Sequence, residues 1–195
     1  LLDLYTIREA FDRLEGVHVA VVGDVLHSRV ARSLVEALGI VGARVTLVGP
    51  PTLVPREIEA MGCDVSHEIG AIADADVVYV LRMQRERMLA GAAFVPSLRE
   101  YTALYGITPE RVRPGQVVMH PGPMNRGVEI DPRVADSPAA LVTTQVRSGL
   151  VVRMAVLYDL LTSGPTGTSR VRLASPAEAA WADLETPADS PLEVA

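Results

Sequence analysis

Two arginines stand where apolar runs of this chain give way to the segments that follow them. Arg29 lies in "VVGDVLHSRVARSLVEAL" (21–38), at the first turn of a helical pattern. Arg82 directly follows the apolar "VVYVL" of "VVYVLRMQRER" (77–87). A cation at a helix start is disfavoured by a few tenths to ~1 kcal/mol, so Arg29 calls for a bound anion or a nearby acid. The competing reading is a surface ion pair with Asp24 or Glu36. Arg82 puts a guanidinium at the end of a strand, and Gln84, two residues on, points the same way if the chain stays extended. Arg85 and Arg87 read as a solvated, charge-paired helix start. Two guanidinium groups at one edge suit a small dicarboxylate, because each planar fork can grip a carboxylate bidentately and stays charged. A third stretch, "MHPGPMNRG", sets His120 before Pro121, Gly122 and Pro123. Prolines on both sides of a glycine fix an irregular backbone that can present carbonyls or amides to a ligand. The alternative there is a rigid turn with a packed histidine.

The elements that must position these residues follow from patterning. Val17–Gly23 is a continuous apolar run, as in a strand buried on both faces. Ser28 can cap the next helix, whose apolar stripe is Val30, Ala31, Leu34, Val35 and Leu38. Further strands are expected at Ala43–Pro51 (ending in a turn), Cys63–His67, Val77–Leu81 and Gln116–Met119. Pro55 can start a short helix to Met61, and Ser97–Tyr105 reads as helical. Asp136, Ser137 and Pro138 read as the start of a last helix. It continues to about Leu161 along Val142, Val146, Leu150, Met154 and Tyr158. Alternation of strand and helix predicts an α/β fold: a three-layer, Rossmann-like open parallel sheet of about five strands with helices on both faces. Ligands of such sheets bind beyond the carboxyl ends of the strands, the edge to which Asp24–Arg29, Arg82–Arg87 and His120–Pro123 are assigned. His18 reads as a strand residue with a satisfied ring, and His67 and Cys63 as structural.

Bulk properties narrow the classes. The 195 residues are 49% hydrophobic and 22% charged with net charge −6, which argues against a nucleic-acid binder. All 18 basic residues are Arg, a codon-bias signature rather than a site signal. The single cysteine excludes an internal disulfide and fits a reducing, cytoplasmic setting. No apolar run approaches ~20 residues, so no membrane span is expected. Leu1, Leu4, Ile7, Phe11 and Leu14 recur at helical spacing without a cap before them, so residues 1–15 read as a helix entered partway along, in a piece of something longer. Residues 163–195 turn rich in Pro, Ala, Ser and acid and read as a disordered tail, with one short helix near Trp181. A G-x-G-x-x-G turn, a G-x-x-x-x-G-K-[ST] loop and a G-x-S-x-G elbow are all absent, which disfavours a nucleotide-binding domain.

"LLDLYTI", "VVGDVLHSRVARS", "VYVLRMQRER", "MHPGPMNRGVEI" and "SGLVVRMAVLYDLL", in this order and spacing, resemble the C-terminal, aspartate-binding half of the aspartate carbamoyltransferase catalytic chain. That family lies within the aspartate/ornithine carbamoyltransferase superfamily, and the resemblance runs from Leu1 to about Leu161. It implies an inter-domain helix over 1–15 and an aspartate-binding α/β domain over 16–162. Arg29 and Arg82 would hold the carboxylates of L-aspartate, with Gln84 also in contact. The backbone of Gly122 and Pro123 would face the carbamoyl group of carbamoyl phosphate, supported by His120 and Pro121, and Arg153 would be mainly structural. Some family members have leucine where this chain has Gly122.

The implied reaction is attack of the aspartate amine on the carbamoyl carbon, giving N-carbamoyl-L-aspartate and phosphate for pyrimidine biosynthesis. It needs no cofactor, no metal and no protein nucleophile. Most of the family's carbamoyl phosphate site lies in an N-terminal domain, so these 195 residues are expected to be inactive alone. The family's catalytic chain forms a homotrimer, in bacteria often with regulatory or dihydroorotase-like chains. The readings weighed against this one are a carbamoyltransferase of another amino acid such as ornithine, and a non-catalytic α/β module for assembly or anion binding.

Overall fold

Val17 and the strand that follows it are buried, and the rest of the sheet is built outward from them. The computed structural model describes residues 1–84 and 97–162. Helix α1 (Leu2–Phe11) precedes strand β1 (His18–Val22), helix α2 (Arg29–Ile40) and β2 (Arg44–Val48). A 3-10 turn over Arg56–Met61, β3 (Asp64–Ser66), a second 3-10 turn over Ile69–Asp74 and β4 (Val77–Val80) come next. The chain continues with α3 (Leu98–Tyr105), β5 (Val117–Met119), α4 (Pro132–Ala135) and α5 (Val142–Thr162). The strands form one parallel sheet in the order β3-β2-β1-β4-β5. From β1 the sheet grows one way through β2 and β3 and the other way through β4 and β5. The boundary between β1 and β4 is therefore the switch point where a crevice opens beyond the strand ends.

Period-2 alternation divides the core. Val19, Val21, Val45, Leu47, Val77, Tyr79 and Met119 face one side, where they pack with Ile7 of α1 and with Leu34, Val35 and Leu38 of α2. Ala20, Val22, Val48, Val78, Val80 and Val118 face the other, under Ile72, Ile107, Ile130 and Val134. The three-layer α/β expectation holds, although short helical turns and connecting segments cover much of the second face. The His18 ring is satisfied by Thr46 Oγ1 (2.8 Å) and the Asp74 carbonyl (3.1 Å). His67 Nδ1 donates to the Gly49 carbonyl, and Cys63 is buried, which pushes its thiol up to about 11.

One expected boundary is corrected. The last helix does not start at Asp136–Pro138. Asp131 caps the short α4 instead, its carboxylate accepting from Arg133 N, with Pro132 at the first helical position. The Asp136 carboxylate is taken by Arg126 (2.7 Å). Residues 139–141 run beside β5, with Val118 N donating to Ala139 O and Leu141 N to Val118 O, so helical geometry resumes only at Val142. Helix α5 also turns its polar side inward. Gln145 and Ser148 are its buried residues, while Val146, Leu150, Met154 and Tyr158 are exposed among the described residues. Arg85, Arg87 and the tail 163–195 lie outside the described residues.

The first strand's exit depends on two glycines. Gly23 has φ +125° and lies close to the Leu81 carbonyl and the Tyr101 hydroxyl. Across from it, a Cβ on Gly49 would stand 2.8 Å from Val54 Cγ2 and 2.9 Å from the Gly23 carbonyl oxygen. Gly49→Ala is expected to lower stability by about 1–3 kcal/mol through this overpacking. A thermal melt several degrees below the parent would show it, and an unchanged melt would contradict it.

Candidate functional site

Three of the five strand ends, those of β1, β4 and β5, are joined through backbone and side-chain hydrogen bonds. β1 runs into Asp24, whose side chain is wholly buried. Its Oδ1 accepts from His27 Nδ1–H (2.8 Å) and the His27 backbone N–H (3.2 Å). A carboxylate oxygen only accepts, so Nδ1 carries the imidazole proton here. Oδ2 accepts the backbone N–H of Gln84 (3.3 Å), just past β4. Asp24 thus bridges the switch point and ties the turn bearing Arg29 to the segment bearing Arg82 and Gln84. On the far side, Asn125 Nδ2 donates to the Met83 carbonyl (3.3 Å), which fastens the segment after β5 to the same stretch. The Gly49–Pro51 turn carries no comparable chemistry and supports β1 from behind.

Arg29 is exposed at the first position of α2, after Ser28, whose hydroxyl accepts from Ala31 N (3.2 Å). The competing reading for Arg29 fails on occupancy. Asp24 is committed to His27 and Gln84, and Glu36 pairs with Arg32 (3.5 Å). Among the described residues Arg29 makes no ion pair, which leaves a guanidinium at the unfavourable end of a helix dipole, facing solvent. Arg82 and Gln84 are half-buried on the neighbouring strand end.

The segment after β5 has a definite hydrogen-bonding sense. His120 is buried, and its backbone N–H donates to Gln145 Oε1 (2.8 Å). The Gly122 N–H donates back to His120 Nδ1 (2.9 Å). Pro121 and Pro123 have no N–H, and the Gly122–Pro123 peptide is cis. Positions 121–123 are exposed, yet they offer no free amide donor. This surface accepts hydrogen bonds from a ligand and gives none, so it suits an NH₂ group and not a phosphate. Gly122 sits at φ +62° with open space where a Cβ would be. A side chain at this position would have room and would be opposed only by the left-handed backbone, by about 1–2 kcal/mol.

Beneath this loop Gln145 Nε2 donates to Asp3 Oδ1 (2.9 Å), which also accepts from the Tyr79 hydroxyl (3.1 Å). α1, β4, β5 and α5 are joined there. Burial, reinforced by Asp3, pushes the Tyr79 hydroxyl above the usual phenol range, so it remains a donor. A cleft of about 450 Å³ opens over these groups, bordered by Val30, His120, Pro121, Gly122, Gln145 and Arg153. No group of three or more potential metal ligands occurs among the described residues.

Sequence reasoning picked out Arg29, Arg82, Gln84 and the His120–Pro123 stretch. It missed Asp24 as the connector and also missed Asn125, Glu129 and Gln145. An acid one residue past a largely apolar strand was the available signal for Asp24, since such a position is buried at the sheet edge. Asp24→Ala would strand two backbone donors and one ring donor. It is expected to cost on the order of 2–4 kcal/mol, with Asp24→Asn, which keeps one acceptor, costing less. Urea unfolding reads this directly, and a loss for Asp24→Ala below about 0.5 kcal/mol, the scale of an ordinary surface change, would contradict it.

Residues 15–160 match the family model of the aspartate/ornithine carbamoyltransferase Asp/Orn binding domain. The chain is 57% identical over 165 residues to the aspartate carbamoyltransferase catalytic subunit of Gluconacetobacter diazotrophicus, covering 83% of this chain and 50% of that protein. With the corresponding subunit of Acidothermus cellulolyticus it shares 53% identity over 184 residues, covering 92% and 56%. The chain therefore spans about half the length of the curated relatives it matches. Among solved structures, the catalytic subunit of M. jannaschii aspartate transcarbamoylase superposes with TM-score 0.68 at 34% identity, over 82% of this chain and 55% of that one. Ornithine carbamoyltransferase from Thermus thermophilus superposes with TM-score 0.67 at 26% identity, over 82% and 53%.

Proposed function

The chain belongs to the aspartate/ornithine carbamoyltransferase family, and we propose that it is the L-aspartate-binding half of an aspartate carbamoyltransferase. The observation that supports this most is the bridge from Asp24 to the Gln84 N–H, which ties the Arg29 and Arg82 strand ends across one crevice. On this reading Arg29 and Arg82 take the two carboxylates of L-aspartate, and Gln84 adds a polar contact. The acceptor surface at Gly122 and Pro123 takes the NH₂ of the carbamoyl group, with His120 and Pro121 fixing its backbone.

The reaction then needs orientation more than acid–base chemistry. The aspartate amine nitrogen attacks the carbamoyl carbon. The new N–C bond forms, the C–O bond to phosphate breaks, and the amine gives up a proton as phosphate leaves. Residues 121–123 lack donors, so phosphate is assigned to other groups, and turnover is proposed to require the remainder of a full-length catalytic chain. In the same proposal residues 16–162 are the aspartate-binding domain and α1 an inter-domain helix. The working assembly is a cytoplasmic homotrimer, alone or with regulatory or dihydroorotase-like chains. No described helix is long and apolar enough to cross a membrane.

Ornithine is the competing substrate, and the overall fold does not separate the two, since both kinds of neighbour superpose equally well. Charge does. The ammonium of an ornithine side chain would face a guanidinium at Arg82, whereas the aspartate side chain brings a carboxylate there. In the complete catalytic subunit, Arg82→Ala is expected to raise the aspartate KM by about 100-fold, the scale of a lost charged hydrogen-bond pair. Steady-state kinetics with aspartate and with ornithine would check this, and an aspartate KM within about threefold of the parent, or preferred use of ornithine, would sink the assignment.

A further inference from the structure

Under the exposed 121–123 loop lies a buried pair that substrate contact does not explain. The Glu129 side chain is wholly buried, nine residues after His120. Its Oε1 lies 3.3 Å from His120 Nε2 and also accepts the backbone N–H of Asn125. Among the described residues its Oε2 is buried with no partner, as is the Tyr101 hydroxyl. Burial, and then the nearby Glu129 and Asp24 carboxylates, hold that hydroxyl well above the usual phenol range. Burying a carboxylate with half its capacity unused is costly, so its position asks for a reason.

The histidine supplies one. His120 Nδ1 accepts the Gly122 N–H and so carries no proton. The ring proton is then on Nε2, which needs an acceptor, and Glu129 Oε1 is the acceptor it meets. In the other tautomer Nδ1–H would confront the Gly122 N–H donor to donor, and the loop could not keep its present arrangement. We propose that Glu129 is a positioning residue. It fixes the Nε2–H tautomer of His120, which turns the Gly122 N–H inward and leaves the loop a pure acceptor surface for the carbamoyl NH₂. The ligand named here rests on the function proposed above; the tautomer does not.

The test has two arms on the complete catalytic subunit. The first is the imidazole ¹⁵N spectrum of His120, assigned by its disappearance in His120→Asn. The parent and Glu129→Gln should both show the Nε2–H tautomer, since the amide oxygen of Gln still accepts. Glu129→Leu should shift the ring towards Nδ1–H. The second arm is kinetic. Glu129→Leu is expected to raise the carbamoyl phosphate KM by about tenfold, while Glu129→Gln stays within about twofold. His120→Phe, which keeps a ring of similar bulk but removes the acceptor of the Gly122 N–H, should raise the carbamoyl phosphate KM by about as much as Glu129→Leu, and a parent KM there would overturn the proposal. An Nδ1–H or doubly protonated His120 in the parent would overturn the proposal. So would a Glu129→Leu variant that folds and keeps both the parent tautomer and the parent KM, or a Glu129→Gln variant as impaired as Leu. If Glu129→Leu fails to fold, the parent spectrum and the His120→Phe kinetics decide. If the subunit transfers no carbamoyl group to aspartate while the spectrum is as expected, the substrate assignment falls and the tautomer control stands.

Discussion

A parallel sheet whose strand order reverses at its centre leaves two strand ends diverging, and whatever joins them sets the shape of the crevice. Here the side chain of Asp24 does so, buried at the end of β1 and accepting the Gln84 N–H past β4. The same carboxylate fixes His27 and with it the approach to α2. Both arginines are therefore referenced to one buried group. Gly23 and Gly49 make this possible by letting β1, β2 and the Leu81 carbonyl close around it.

The second constraint concerns direction more than place. Residues 121–123 have lost every amide donor, two by being proline and one to the His120 ring. The proposed site, with two guanidinium groups on one side and carbonyls on the other, would be polarised. Anionic carboxylates belong at the first, and a hydrogen-bond donor belongs at the second. An amino dicarboxylate beside an NH₂-bearing acyl donor matches that polarity, and a dinucleotide or a diamino acid does not.

Much of this was legible in the sequence. The apolar runs 17–23 and 77–81 marked the central strands because a strand buried on both faces is near-continuously apolar, with a polar exception such as His18 hydrogen-bonded. Arg29 and Arg82 stood out because charge at those positions opposes local preference, which is the usual mark of function. What could not be read was pairing over distance. Asp24 to Gln84, His120 to Glu129 and Gln145 to Asp3 span 60, 9 and 142 residues, and no periodicity reports them. The misplaced helix start has a local cause. Asp136-Ser137-Pro138 has a cap's composition, but Asp131-Pro132 has it as well, and the pairing of residues 139–141 with β5 decided between them.

The central claim is that Arg29 and Arg82 hold the two carboxylates of one dicarboxylate while the Gly122 loop accepts from the second substrate. A crystal structure of the complete catalytic subunit with succinate and carbamoyl phosphate tests it most directly. The expected result has one succinate carboxylate on Arg29, the other on Arg82, and the carbamoyl NH₂ on the carbonyls of Gly122 and Pro123. Succinate bound away from either arginine, or phosphate seated on the 121–123 loop, would contradict the account.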